Sequence, residues 1–269
     1  MLLGLLLLST ACTSPNTNRP LVYLELPAGG VEATAANFAP MVDWLNQELD
    51  RPVELVVGTD YAAGIEAMRY GHADIMRLGP SGFVSAESEV ELVSIASVAK
   101  DSMDAMVYHS YIITRPGLTT LEGATFAYVD IGSASGYLLP ATYIEKEGIV
   151  LGDILFAGSH PTVIEAVRNG MVDAGATCDT RIDAALEQGA LKEGEVDIFW
   201  ESAPIIRGAI VVRADMPEEL RLEIQAAFFS APEDVVSRCG LGSNRWGYPL
   251  PPEAFEPMRE IQKYLGLIP

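Results

Sequence analysis

The sequence predicts an α/β protein built as two lobes, and three observations carry that expectation. Short apolar runs ended by Gly, Pro or Asp alternate with segments in which apolar residues recur every three or four positions. That βαβα order forms a mostly parallel sheet covered by helices. The alternation runs up to about residue 114, breaks at Arg115-Pro116-Gly117, and then runs a second time. A further strand and two helices follow the second set, which reads as a return to the first lobe. Composition agrees, since 49% hydrophobic and 20% charged residues over 269 positions suit a globular chain with room for two cores.

Residues 21–26 read as the first strand, ended by Pro27-Ala28-Gly29-Gly30. Phe38, Met41, Leu45 and Leu49 then share one face of a helix. A strand over 53–57 turns through Gly58-Thr59-Asp60 into a helix over 61–70 that Gly71 stops. Residues 73–78 are a third strand, Gly79-Pro80-Ser81 opens the next helix, and 92–98 and 108–114 are strands. The second set is strand 126–131, helix 137–147, strand 153–156, helix 161–168, strand 172–176, helix 179–187 and strand 197–200. Strand 208–212 and helices over 218–229 and 252–265 close the chain. The division is therefore a leader and tether (1–19), lobe one (20–114 and 208–269) and lobe two (115–207), with crossings near Arg115 and Ile206.

Charge narrows the partners. With 17 Lys+Arg against 37 Asp+Glu the formal net charge is -20, and no basic cluster interrupts that field, so nucleic acid and anionic lipid are repelled. Any bound anion is expected to be held by local dipoles. At the N-terminus a leucine run leads to Ala11-Cys12, too short to span a bilayer and similar to a bacterial lipoprotein signal. Cys12 is the expected lipidation site, residues 13–20 a flexible tether, and the protein exported, periplasmic or on the cell surface. Cys178 and Cys239 are expected as free thiols in different lobes, because a bridge would lock the lobes together.

In open α/β sheets ligands bind beyond the carboxyl ends of strands, where helices begin. Those loops hold Asp60-Tyr61, Gly79-Pro80-Ser81, Gly132-Ser133-Ala134-Ser135-Gly136, Gly158-Ser159-His160 and Cys178-Asp179. They offer hydroxyls, a phenol, an imidazole, free helix-start amides and one carboxylate, a set suited to a compact tetrahedral oxyanion. An ionised Asp179 beside an anion repels it unless a proton lies between, so Asp179 would favour a protonated phosphorus oxyanion and reject sulfate. Each residue also has a plain structural role: an Asp at a helix start caps it, a lone histidine is commonly structural, and tyrosines pack.

Thr59-Asp60-Tyr61-Ala62-Ala63, Ile65-Glu66-Ala67-Met68, Ala73-Asp74-Ile75 and Leu78-Gly79-Pro80 resemble the first lobe of the phosphate/phosphite/phosphonate-binding family, the solute receptors of phosphonate-type ABC importers. Tyr111-Ile112-Ile113-Thr114, Val129-Asp130 through Ser133-Ala134-Ser135-Gly136-Tyr137, Gly158-Ser159-His160 and Val172-Asp173-Ala174-Gly175-Ala176 to Asp179 are similar to its second lobe. The resemblance runs in order from about Leu21 over nearly the whole chain. It implies a type II periplasmic binding protein fold, two α/β lobes joined by two hinge strands with the ligand cleft between them. It also implies a small phosphorus oxyanion (phosphite, methylphosphonate or a related phosphonate or phosphate) as ligand, an ABC permease as partner, and a monomer. Carried across, its contacts fall on Tyr61, Tyr111, Ser133, Ser135, Gly136, His160 and Asp179, with Ser81 at the neighbouring helix start. Tyr61, Ser81 and Tyr111 are assigned to lobe one and the rest to lobe two or its hinge. Ala134 stands where the family has a hydroxyl, Arg77 where an apolar residue is common, and Thr180 and Gly208 where aminophosphonate binders carry acids.

Three other readings compete. Ser133, His160 and Asp179 are the ingredients of a hydrolytic triad, but Ala134 occupies the nucleophile position of a GxSxG elbow. No HExxH, Walker loop or GxGxxG in a βαβ setting occurs, so no cofactor or metal is expected and no enzyme is read. A cation cage would want indoles, yet Trp44, Trp200 and Trp246 lie outside the candidate loops. A periplasmic sensor could use the same oxyanion pocket without transport.

Overall fold

The computed structural model describes residues 19–27 and 30–268; Cys12, and with it the expected lipid anchor, lies outside the described residues. In chain order the first run is β1 (Leu21–Glu25), α1 (Val31–Glu48), β2 (Val53–Val57), α2 (Tyr61–Arg69), β3 (Ile75–Leu78), α3 (Pro80–Glu87) and β4 (Leu92–Ala99). A two-residue β5 (Val107–Tyr108) follows. The second run is β6 (Ser110–Thr114), β7 (Phe126–Tyr128), α4 (Leu139–Lys146), β8 (Ile154–Phe156), α5 (His160–Arg168), β9 (Ala174–Cys178), α6 (Asp179–Glu187) and β10 (Asp197–Glu201). The chain ends with β11 (Ile205–Ile206), β12 (Ala209–Arg213), α7 (Glu218–Phe229), α8 (Glu233–Arg238), β13 (Arg245–Gly247) and α9 (Glu256–Tyr264).

Two main sheets result, ordered β13-β4-β12-β3-β1-β2 and β10-β6-β9-β7-β8. Both are mixed rather than mostly parallel. β1 runs parallel to β2 and β3, but β12 comes back from the second lobe and inserts antiparallel between β3 and β4. In the second sheet β7 is parallel to β8 and β9, while β6 and β10 are antiparallel additions.

Each sheet is covered on both faces, and the alternation of β1 shows how. Leu21 and Tyr23 face a cluster with Phe38, Met41, Phe228 and Trp246, whereas Leu24 faces the opposite cluster with Phe83, Phe255 and Met258. The α8 helix and the β13 strand were not expected from the sequence; six and three residues are too short to show a period. The expected strand 126–131 stops at Tyr128, because Asp130 closes a turn by accepting from Gly132 N through its side chain and from Ser133 N through its carbonyl.

The first crossing lies earlier than Arg115. Ser110–Thr114 pairs with β9 and β10, so it belongs to the second sheet. The chain changes lobes at β5 and again at β11, and these two short strands pair antiparallel with each other. Beside them Ser110 N donates to the Ser202 hydroxyl and Ser202 N to the Ser110 carbonyl, both at 2.9 Å. Cys178 ends β9 in the second lobe and Cys239 follows α8 in the first; both are buried free thiols.

Candidate functional site

The lobes meet across an apolar seam. Ala134 and Leu138, from a single π-turn over Ala134–Leu138, pack with Leu26, Phe83, Phe255 and Met258 of the first lobe. The Ser81 hydroxyl donates to the Gly132 carbonyl at 2.6 Å across the same seam. Gly132 is required here because a Cβ at that position would lie 2.9 Å from the Tyr61 Cβ.

Behind the seam lies a cavity of about 90 Å³. Tyr61, Arg77 and Ser81 reach it from lobe one, Ser133, Ser135, His160 and Arg181 from lobe two, and Tyr108 and Arg207 from the crossings. Five of the expected site residues therefore converge: Tyr61, Ser81, Ser133, Ser135 and His160. Ser81 lies there chiefly as a latch, since its only proton is committed to Gly132. Ser133 is better placed to donate, because its oxygen accepts the Gly136 amide at 3.0 Å and leaves its own proton free. Among the described residues, the amides of Ala134 and Ser135 find no backbone acceptor, so the cradle offers main-chain donors at the start of the π-turn.

Three expected contacts do not reach the cavity. Tyr111 lies on β6 with its side chain in the outer cluster of lobe two, with Ile113, Val163 and Ile182. Strand alternation sends it away from the cleft, and the phenol that lines the cavity is Tyr108, three residues earlier. The Gly136 amide is used by Ser133, and the residue is a glycine for packing: a Cβ there would lie 2.4 Å from Val129 Cγ2. Asp179 turns back to the hinge. Its Oδ2 accepts from His109 N at 3.0 Å, its Oδ1 from Thr180 N at 2.6 Å, and its own amide donates to the His109 carbonyl at 3.1 Å. Each oxygen of Asp179 thus accepts one main-chain amide, which staples α6 to the crossing.

The hydrolytic relay does not assemble either. His160 is buried with Nδ1 3.2 Å from the Thr177 hydroxyl rather than against a carboxylate, and burial first, then Arg181, lowers its pKa to about 3. It is a neutral imidazole at ordinary pH. Burial pushes the Tyr61 and Tyr108 phenols up, with the Ser133 and Ser135 hydroxyls pulling the other way, so both stay protonated donors.

Sequence reading missed the arginines. The expectation that only dipoles hold an anion gives way to three guanidiniums in the cavity wall, with no carboxylate among the lining residues described. Arg77 is paired: its Nη2 lies 2.9 Å from Oε2 of Glu25, which is fully buried and also accepts from the Tyr23 hydroxyl at 2.7 Å. Arg207 is different. One nitrogen, Nη1, donates to the Leu241 carbonyl and the guanidinium carbon stands 5.6 Å from the Tyr108 ring, but Nε and Nη2 are buried with no hydrogen-bond partner among the described residues. The available signal was an Arg inside the apolar stretch 205–212, a charge that no surface position explains.

A cationic, hydroxyl-lined cavity closed between two α/β lobes on paired crossing strands defines a two-lobed solute-binding protein. Residues 24–244 match the family model described as the phosphonate periplasmic substrate-binding protein of ABC transporters. The phosphate-import protein PhnD of Mycolicibacterium smegmatis is 30% identical over 236 residues, covering 78% of this chain and 73% of that protein. The chain belongs to this family of periplasmic ABC-transporter binding proteins. PhnD1 from Prochlorococcus marinus, solved with methylphosphonate, shares the fold at a TM-score of 0.82 and 18% identity, covering 92% of this chain and 98% of that one. A binding component of an ABC phosphonate transporter from Pseudomonas aeruginosa does so at 0.81 and 20%, covering 92% and 87%.

Proposed function

We propose that the protein captures a small phosphorus oxyanion, such as phosphate, phosphite or methylphosphonate, by lobe closure and delivers it to an ABC permease. The observation that carries this is the Arg207 guanidinium, buried in the cavity wall with two nitrogens unpartnered, facing hydroxyl and amide donors from both lobes. Burying an unpaired cation is costly, so a fold that keeps one supports an anionic occupant. The names of the Mycolicibacterium and Prochlorococcus relatives support phosphorus chemistry. An aminophosphonate fits less well, since an ammonium would enter beside Thr180 and Arg207 with no acid to meet it. The reading includes a monomeric receptor tethered through a lipidated Cys12, supported by the leucine run before Ala11-Cys12; acyl labelling lost in Cys12→Ser checks the tether.

Thermal shift with phosphate, phosphite, methylphosphonate and 2-aminoethylphosphonate tests the ligand class. At least one of the first three is expected to raise the melting temperature, and Ser135→Ala to weaken its binding by roughly 1 to 3 kcal/mol. No shift with any of the three would overturn the reading.

A further inference from the structure

The lobes also touch away from the cavity, through the C-terminal helix. α9 is fixed to lobe one: Arg259 donates to the two oxygens of Glu87 at the end of α3, at 2.5 and 2.8 Å. The buried Gln262 amide donates to the Ser81 carbonyl at 3.1 Å and the Ser85 hydroxyl at 3.2 Å. Its other side meets lobe two. Ile261 and the following Leu265 share an apolar cluster with Tyr137 and Leu139, and α9 packs against both α4 and the π-turn. At the end of this contact the Lys146 ammonium, in the last turn of α4, stands 4.9 Å from the centre of the Tyr264 ring, in the last turn of α9. Both side chains are exposed, and neither lines the cavity. The backbone connects α9 to α4 only through the crossing strands, so rotation of the lobes about them carries the α3 bonds along and parts Tyr264 from Lys146. Contacts made only in the closed arrangement raise its population whatever fills the cavity, and apolar burial and a cation over a ring face both act in that direction.

Resting on capture by lobe closure as set out above, we propose that α9 is a clasp: its contact with α4, centred on Lys146 and Tyr264, forms when the lobes close and sets how long a ligand is held. Lys146 and Tyr264 are positioning residues. They act on the closed arrangement rather than on the anion, so every ligand is affected by the same factor.

Two measurements on the full chain test this. Stopped-flow kinetics with phosphate and with methylphosphonate are expected to show Lys146→Ala and Tyr264→Ala releasing both anions about twofold to fivefold faster, with association unchanged. The double variant is expected to lose no more than either single one, and Lys146→Arg and Tyr264→Phe to keep the wild-type rate. The second measurement needs no ligand. Cys178 is buried in the cavity wall between the lobes and Cys239 in the core of lobe one, so alkylation followed by peptide mapping reads lobe opening at the first and unfolding at the second. Both alanine variants are expected to label about twofold to fivefold faster at Cys178 and no faster at Cys239; a merely structural loss would speed both. Unchanged release rates, or unchanged Cys178 labelling, would overturn the clasp and leave the ligand reading standing. Binding of neither anion by the wild-type chain would overturn the ligand reading, and Cys178 labelling then decides the clasp by itself.

Discussion

Arg77 and Arg207 enter the same cavity from different parts of the fold, and they are supported in opposite ways. Arg77 stands on β3 inside the first lobe, and its charge is met by Glu25 on the neighbouring strand, itself held by the Tyr23 hydroxyl. Arg207 stands where the chain leaves the paired crossing strands; it donates to a carbonyl and lies over the face of a phenol ring, with no ion pair among the described residues. The first arrangement is complete in itself, so it belongs to the stability of lobe one. The second leaves two buried donors without a partner among the described residues, which the oxyanion reading assigns to the ligand.

The largest effect that could break this contrast is on folding. Glu25→Gln, which strands Arg77 as a buried unpaired charge, is expected to cost about 3 to 5 kcal/mol in urea unfolding, whereas Arg207→Met in ligand-free protein is expected to cost far less or to stabilise. Equal losses would mean that Arg207 is held by a partner of the same strength. A second test concerns His160. Its folded pKa near 3 lies below the unfolded 6.5, so as pH falls the unfolded chain takes the proton first and stability present above about pH 6.5 is lost. Stability should be about 2 kcal/mol lower at pH 5 than at neutrality from this group, and His160→Gln should flatten that limb of the urea-midpoint profile. Asp179→Ala should cost about 1 to 3 kcal/mol of stability by opening the α6 staple while leaving the preference between phosphate and sulfate unchanged; a changed preference would return Asp179 to the ligand. The smallest effect expected is in Ser81→Ala, about 0.5 to 1.5 kcal/mol in ligand affinity by calorimetry, the worth of one neutral cross-lobe bond.

Much of the architecture was legible because it repeats. The helices around Phe38 and Ile164 and the strands around Tyr23 and Ile112 each show their period, and their alternation is enough to give two α/β units. What the pattern could not carry is the crossing itself. A two-residue strand has no period, so Val107–Tyr108 merged with Ser110–Thr114 and Tyr111 was assigned to the wrong lobe. At the site, helix starts were legible from Ser133, Ser159 and Asp179, but a residue there can serve a ligand or its own backbone, and only three-dimensional partners separate the two. Ser133 and His160 face the cavity; Asp179 and the Gly136 amide serve the chain. Arg207 was invisible for the opposite reason, since its significance is a partner that it lacks.

The placement of Arg207 on the crossing also bears on the order of events in capture. When two lobes part by rotation about paired strands, groups on the lobe faces travel farthest and a group at the pivot travels least. Ser81 and Ser133 would separate on opening, while the guanidinium beside β11 would stay close to where the anion rests. Encounter would then be governed by the pivot charge and escape by the latch between the faces, so that substitutions at the two places should act on association and dissociation rates respectively.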